Sequence, residues 1–248
     1  MTAQLLLINP NTSPAITALL AQHVGAVLAP DLGCRAVTAR FGPTYISDET
    51  GSTIAAHAVL DAWSHALQDA PAPHAVLLGC FGDPGLLALR ECSPVPVSGL
   101  AECAFHAAAP YGRFAIVTGG ARWVGMLQRL AYSLGFAQAL AGVHTVTPTG
   151  AQLAADPAGA RALLLQACRD AQQRWAADAI IVGGAGLAGM AAQLQPSIDI
   201  PLIDSVQAAG LWAREQLCQA PAVAPAPDAA VLAALRELPH AMRVTSAL

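Results

Sequence analysis

The sequence contains no lysine: all twelve basic residues among its 248 are arginines. That excludes an internal aldimine to pyridoxal phosphate and the phosphate-gripping lysine of a P-loop, since both need an ε-amino group. Charge is scarce altogether, at 11% of residues, and the net charge of −4 comes with no basic cluster that could track a nucleic-acid backbone. Long apolar runs are missing too. Mean hydropathy is +0.49, but the Ala, Val and Leu residues fall in runs of roughly four to six, well short of the ~18 that a membrane span requires. The opening MTAQLLLINPN has no basic flank and too short an apolar run for a secretory leader, so a cytoplasmic location is expected. CxxC pairs are also absent. Cys34, Cys80, Cys92, Cys103, Cys168 and Cys218 are scattered, which argues against zinc ribbons and a disulfide framework, and most read as buried, inert thiols. No His, Cys and carboxylate set has metal-ligand spacing, so no metal is expected.

What is present is a repeat. HAVLLGCFGDPGLLALRE (74 to 91) aligns with DAIIVGGAGLAGMAAQLQ (178 to 195) at a constant offset of 104. Downstream, SPVPVSGL matches SIDIPLIDSV after one inserted residue, which places Pro96 opposite Pro201. Upstream, LLLINPNTSPAITALL matches FAIVTGGARWVGMLQRLA, with Asn9 opposite Thr118. Each unit is a short β-rich run, a turn of small or polar residues and an amphipathic stretch of period 3.6, which is the pattern of strand, turn and helix in a parallel sheet. The expected fold is α/β, with two pseudo-symmetric domains, each a short parallel sheet flanked by helices. Residues 1–97 plus 206–248 would form one domain and 98–205 the other. PAVAPAPD (221 to 228) reads as a linker and VLAALRELPHAM (231 to 242) as a terminal helix.

In parallel sheets ligands bind beyond the carboxyl ends of the strands, and the four turns fall there. If the halves face each other about a pseudo-twofold axis, the turns line one cleft, the candidate active site. Cys80 would stand at a strand end near a helix N-terminus, a position that suits an acid/base or nucleophilic thiol. Asn11, Thr12 and Ser13 in one turn, and Thr118 and Gly119 in another, offer amides, hydroxyls and N–H donors for a carboxylate or an enolate oxygen. Ser13 can also cap a helix with Pro14 at its first position. Phe81, Gly82, Gly184 and Ala185 complete the turns, with Tyr45 and Phe81 as an aromatic wall. Asp83, beside Pro84, reads as the cap of its own helix. His106 and Glu102, at i and i+4, read as a packing pair, and His144 as a partly buried strand residue.

INPNTS, GCFGDPGL with its following ALRE, AECAFHAA and DAIIVGGAGLAG resemble the hydantoin and allantoin racemases of the aspartate/glutamate racemase superfamily over about residues 4 to 215. The resemblance implies two pseudo-symmetric α/β domains and cofactor-independent proton transfer at a carbon next to a carbonyl. It further implies a cysteine from each half on opposite faces of the substrate. Cys80 matches the first; the second falls on Gly184, so the chain departs from the family pattern there. The arylmalonate decarboxylases of the superfamily keep one thiol, by resemblance the one at the position of Gly184, so a decarboxylase built on Cys80 would protonate the opposite face. The implied partner is a small carboxylate or cyclic amide. Two alternatives stand beside one-sided protonation: a true racemase or isomerase whose second base is water or another side chain, and a non-catalytic small-acid binding protein. A homo-oligomer is left open.

Overall fold

A computed structural model describes residues 3–69 and 71–219, together with 230 and 233. The expected linker at 221–228, and the terminal helix at 231–242 apart from residue 233, lie outside the described residues. The first half runs β1 (Gln4–Asn9), α1 (Pro14–Leu28), β2 (Gly33–Thr38), α2 (Glu49–Asp69), β3 (Ala75–Leu78), α3 (Leu86–Cys92), β4 (Val97–Gly99) and α4 (Leu100–Ala108). The second runs β5 (Phe114–Gly119), α5 (Trp123–Ser133), β6 (Leu140–Val146), α6 (Gly150–Ala155), α7 (Pro157–Trp175), β7 (Ala179–Val182), α8 (Met190–Leu194), β8 (Leu202–Asp204) and α9 (Ser205–Cys218). Each half forms a four-stranded parallel sheet, in the orders β2-β1-β3-β4 and β6-β5-β7-β8.

The sequence repeat reappears as hydrogen bonding. Ile8 stands beside Leu78 in the first sheet and Val117 beside Val182 in the second. Val76 N–H donates to the Pro96 carbonyl and Ile180 N–H to the Pro201 carbonyl, both at 2.9 Å. Gly79 N–H donates to Ile8 and Gly183 N–H to Val117. Gly85 and Gly189 take the same left-handed conformation, φ 80° and 81°, where each turn enters its helix, a region open to glycine because it has no Cβ.

Central strands buried on both faces read as unbroken apolar runs, and LLLI shows why. Leu6 and Ile8 point outward to Val59 and Trp63 of α2 and Leu86 of α3. Leu5 and Leu7 point inward to a core shared with Phe114 and Ile116 of β5 and Ile181 of β7. A matching outer core packs Val117 and Ile180 against α7 and α8. Helix α4 leaves the first sheet to pack on β7 and β8, while α9 leaves the second to pack on α1 and β3; the two helices also lie against each other. Among the described residues no helix is long and apolar enough to cross a membrane.

Phe105 of α4, fully buried, is the hub of the shared core. It stacks on Phe114 at 5.5 Å and meets Phe136 and Phe81 edge-on at 5.6 and 6.5 Å. Phe105→Ala should lower unfolding stability by about 3–5 kcal/mol, the range for an aromatic deleted from a core that cannot fully collapse; urea denaturation checks it.

Candidate active site

The turn after β1 is built by one buried amide. Asn9 Nδ2 donates to Asn11 Oδ1 at 2.9 Å, to the Ser13 carbonyl at 3.1 Å and to Thr17 Oγ1 at 2.9 Å. Asn11 Oδ1 also accepts from Ser13 N–H at 2.9 Å. Because a backbone N–H can only donate, that contact fixes which end of the Asn11 amide is oxygen, and leaves its Nδ2 as the donor facing the cleft. Ser13 caps α1 through Ile16 N–H, as its sequence context suggests.

After β3 the chain curls beneath the Cys80 carbonyl, which accepts from Gly82 N–H at 3.1 Å and Asp83 N–H at 3.2 Å. Cys80 retains only 8% exposure. Burial, with the Asp83 carboxylate adding to it, pushes its thiol well above the usual range. On the facing half, Thr118 is the last residue but one of β5 and is buried. Gly184 follows β7 with φ 138° and donates its N–H to Ser205 Oγ at 3.2 Å. A Cβ built on Gly184 would lie 3.7 Å from Leu187 and 3.9 Å from Thr118 Oγ1, so there is room for a side chain but a backbone that side chains avoid.

These turns meet in a cleft of about 510 Å³, its open mouth included, lined by Asn11, Ile16, Tyr45, Ile46, Gly79, Cys80, Phe81, Thr118, Trp123, Gly150 and Gly183 to Gly186. No charged side chain is among them. A ligand's charge would have to be met by backbone N–H groups, hydroxyls and amides. Tyr45 spans the two halves: its Oη accepts from Gly150 N–H at 2.9 Å. Burial raises the Tyr45 hydroxyl, while the Gly150 N–H and the Trp123 indole act in the other direction. Nearby, Glu49 of α2 and Arg129 of α5 pair through two bonds of 2.7 and 2.8 Å, and Arg122 reaches Asp48 at 3.5 Å.

The structure thus brings Cys80 together with Asn11, Tyr45, Phe81, Thr118, Gly184 and Ala185. Four residues expected to bind do not line the cleft. Thr12 is tied by its N–H to the Pro43 carbonyl; Ser13 is occupied as a cap; Gly82 backs onto the Trp123 ring and Gly119 onto the 148–153 segment, each too closely for a Cβ. Two further readings are corrected. Asp83 caps α4 instead of its own helix, accepting from Ala101 and Glu102 N–H at 2.9 and 2.8 Å, while α3 starts at Gly85 without a side-chain cap. Glu102 bonds Arg90 and Ser98, both at 2.6 Å, instead of His106, and His106 sits exposed with its edge on Phe136. His144 is, as expected, a partly buried strand residue, on β6 against Trp175. Gly186 belongs to the 184–186 turn expected at the cleft, whereas Ile16, Ile46, Gly79, Trp123, Gly150 and Gly183 were not foreseen. Trp123 could have been, because the upstream repeat sets it opposite Pro14 at the first position of a helix that starts at the cleft.

A buried strand-end cysteine between two pseudo-symmetric parallel-sheet domains defines a class of α/β proteins. Residues 5–210 match the Asp/Glu/Hydantoin racemase family, and the chain belongs to it. Hydantoin racemase of Paenarthrobacter aurescens is 32% identical over 207 residues, covering 83% of this chain and 87% of that protein. Allantoin racemase from Klebsiella pneumoniae superposes with a TM-score of 0.79 at 33% identity, covering 86% of each chain. A mutant of arylmalonate decarboxylase in its liganded form shares the fold at 19% identity, with a TM-score of 0.64, covering 91% of this chain and 97% of its own.

Tyr45→Phe removes the acceptor of the Gly150 N–H across the cleft. Losing that bond should weaken ligand affinity by about fivefold, equivalent to ~1 kcal/mol, while changing turnover at saturation less; steady-state kinetics on one substrate would separate the two.

Proposed function

We propose that this racemase-family enzyme works without a cofactor and transfers a proton at the carbon next to the carbonyl or carboxylate of a small acid or cyclic amide. Cys80 delivers that proton from one face. The observation that carries the reading is the pairing of a buried thiol on one wall with Gly184 at the matching place on the other. Two-base racemisation needs a base on one face and an acid on the other, exchanging roles in reverse. Here one fixed thiol reaches one face of a planar enolate.

Burial favours the protonated thiol. Even an unperturbed cysteine is only roughly 3% thiolate at pH 7, so a thiol held above that range is ready as an acid and poor as a base. The carbanion would form in another step, by loss of carbon dioxide or by a base other than a second cysteine. The enolate oxygen would be met by Asn11 Nδ2, the Thr118 hydroxyl and free N–H groups of the 80–81 and 185–186 turns. Apolar walls from Ile16, Ile46, Phe81 and Trp123 would exclude water from the carbanion.

A second reading, that of a true racemase with a different second base, draws support from identity above 30% to a hydantoin racemase and an allantoin racemase. A screen in deuterium oxide across hydantoins, allantoin, amino acids and malonates, read by chiral chromatography, separates the two. One labelled enantiomer supports one-sided delivery. Comparable racemisation of both enantiomers excludes it.

Cys80→Ala should abolish turnover, to less than about a hundredth of wild type, while leaving the fold and ligand binding in place; wild-type-like turnover would sink the assignment. Gly184→Cys should raise exchange into both enantiomers, because two donors make the intermediate symmetric. It should also lower stability by ~1–3 kcal/mol, since a side chain at φ 138° is strained; exchange rates and thermal unfolding measure the two effects.

A further inference from the structure

Helices α4 and α9 are counterparts, each starting directly after the last strand of its sheet. Each has an aspartate at its N-terminus, delivered from a different place. In the second half Asp204, at the end of β8, accepts from Val206 and Gln207 N–H through Oδ1 and from Gly189 N–H through Oδ2. In the first half the residue matching Asp204 is Gly99, and a Cβ there would overlap the Asp83 carboxyl. Asp83 takes the same job from the cysteine turn, three residues after Cys80, with Oδ1 on Ala101 N–H and Oδ2 on Glu102 N–H. Its counterpart in the second half is Leu187.

Reaching α4 from that turn forces Asp83 to φ 47°, a left-handed conformation uncommon outside glycine. The side chain is 3% exposed. Helix N-termini stabilise nearby thiolates, but here the first N–H groups of α4 are taken by a carboxylate, and that carboxylate, whose own N–H closes the turn on the Cys80 carbonyl, adds to the upward push on the thiol. The titratable groups it acts on are Cys80 on its own turn and Glu102 and Cys103 on α4, with Arg90 of α3 lying behind Glu102. Arg90 is committed to Glu102 and the Val97 carbonyl, and Cys103 Sγ donates to Ser98 Oγ. Burial raises the Asp83 carboxyl to about 7, against the pull of the two α4 N–H groups.

We propose that Asp83 is a positioning residue for the Cys80 proton: its carboxylate absorbs the N-terminal charge of α4 and keeps Cys80 a thiol, so that the residue meets the ligand as an acid. The proposal rests on Cys80 being the proton donor, but its test reads the thiol itself. In the full-length protein, iodoacetamide labelling of Cys80 is followed by peptide mass spectrometry between pH 5.5 and 10, with exposed Cys218 as the internal reference. As pH rises, Asp83 ionises before Cys80 and holds the next proton on. The wild-type Cys80 profile should therefore flatten near pH 7, while that of Cys218 does not. In Asp83→Asn the flattening should vanish, and Cys80 should react about tenfold faster relative to Cys218 at pH 8, one unit of thiol acidity. A merely structural role would raise the Cys80 rate at every pH without changing the profile's shape, and that result, or an unchanged profile in folded Asp83→Asn, overturns the proposal. Should the variant fail to fold, the wild-type profile decides: a smooth rise through pH 7 overturns it as well. Activity retained in Cys80→Ala would refute the assignment of Cys80 and leave the labelling result standing.

Discussion

Two parallel sheets can share a site only if their strand ends are held facing one another, and the exchange of α4 and α9 between the halves does that. Each helix starts on one sheet and buries its apolar face away from it, so neither half closes its core alone. The inner faces of β1, β5 and β7 then become one hydrophobic body with Phe105 and Phe114 at its centre. Hydrophobic burial is non-directional. The direction comes from the hydrogen bonds at the strand ends, where Gly79 and Gly183 close matching turns on Ile8 and Val117.

Within that symmetric frame the chemistry is asymmetric at two levels. At the wall of the cleft a thiol faces a glycine. Behind the wall, a carboxylate comes from the cysteine turn in one half and from a strand end in the other. Gly184 is more than a side chain removed: at φ 138° its N–H turns to Ser205 Oγ, so the local backbone is shaped around the absence of a Cβ. Each half presses an aromatic ring onto a turn glycine of the other. The Phe81 ring fills the space that a Cβ at Gly183 would take, and Trp123 does the same over Gly82.

Much of this was legible in the sequence because it repeats. An offset of 104 aligned β3 with β7 and their turns, and the strand registers follow that alignment residue for residue. What local rules could not see was capping between distant segments. An aspartate next to a proline at the head of a helix reads as that helix's own cap, and nothing near Asp83 in sequence announces that α4, beginning at Leu100, will need one. Tyr45 was picked out as an aromatic wall, whereas its bond to Gly150 spans 105 positions and has no sequence signature. Ile46 and Gly150 lie outside the repeat, and no pattern pointed to them.

A cleft walled by amides, hydroxyls and hydrocarbon projects little field into the solvent around it. Charged walls gather ligands from a distance and make capture fall with ionic strength. Here no charged side chain lines the cleft, and Glu49 and Asp48 are paired with Arg129 and Arg122. Encounter would then owe nothing to steering by these walls. Under the proposed function, selectivity among ligands of different charge would come from which of them can shed water onto a surface that offers donors but no counter-ion.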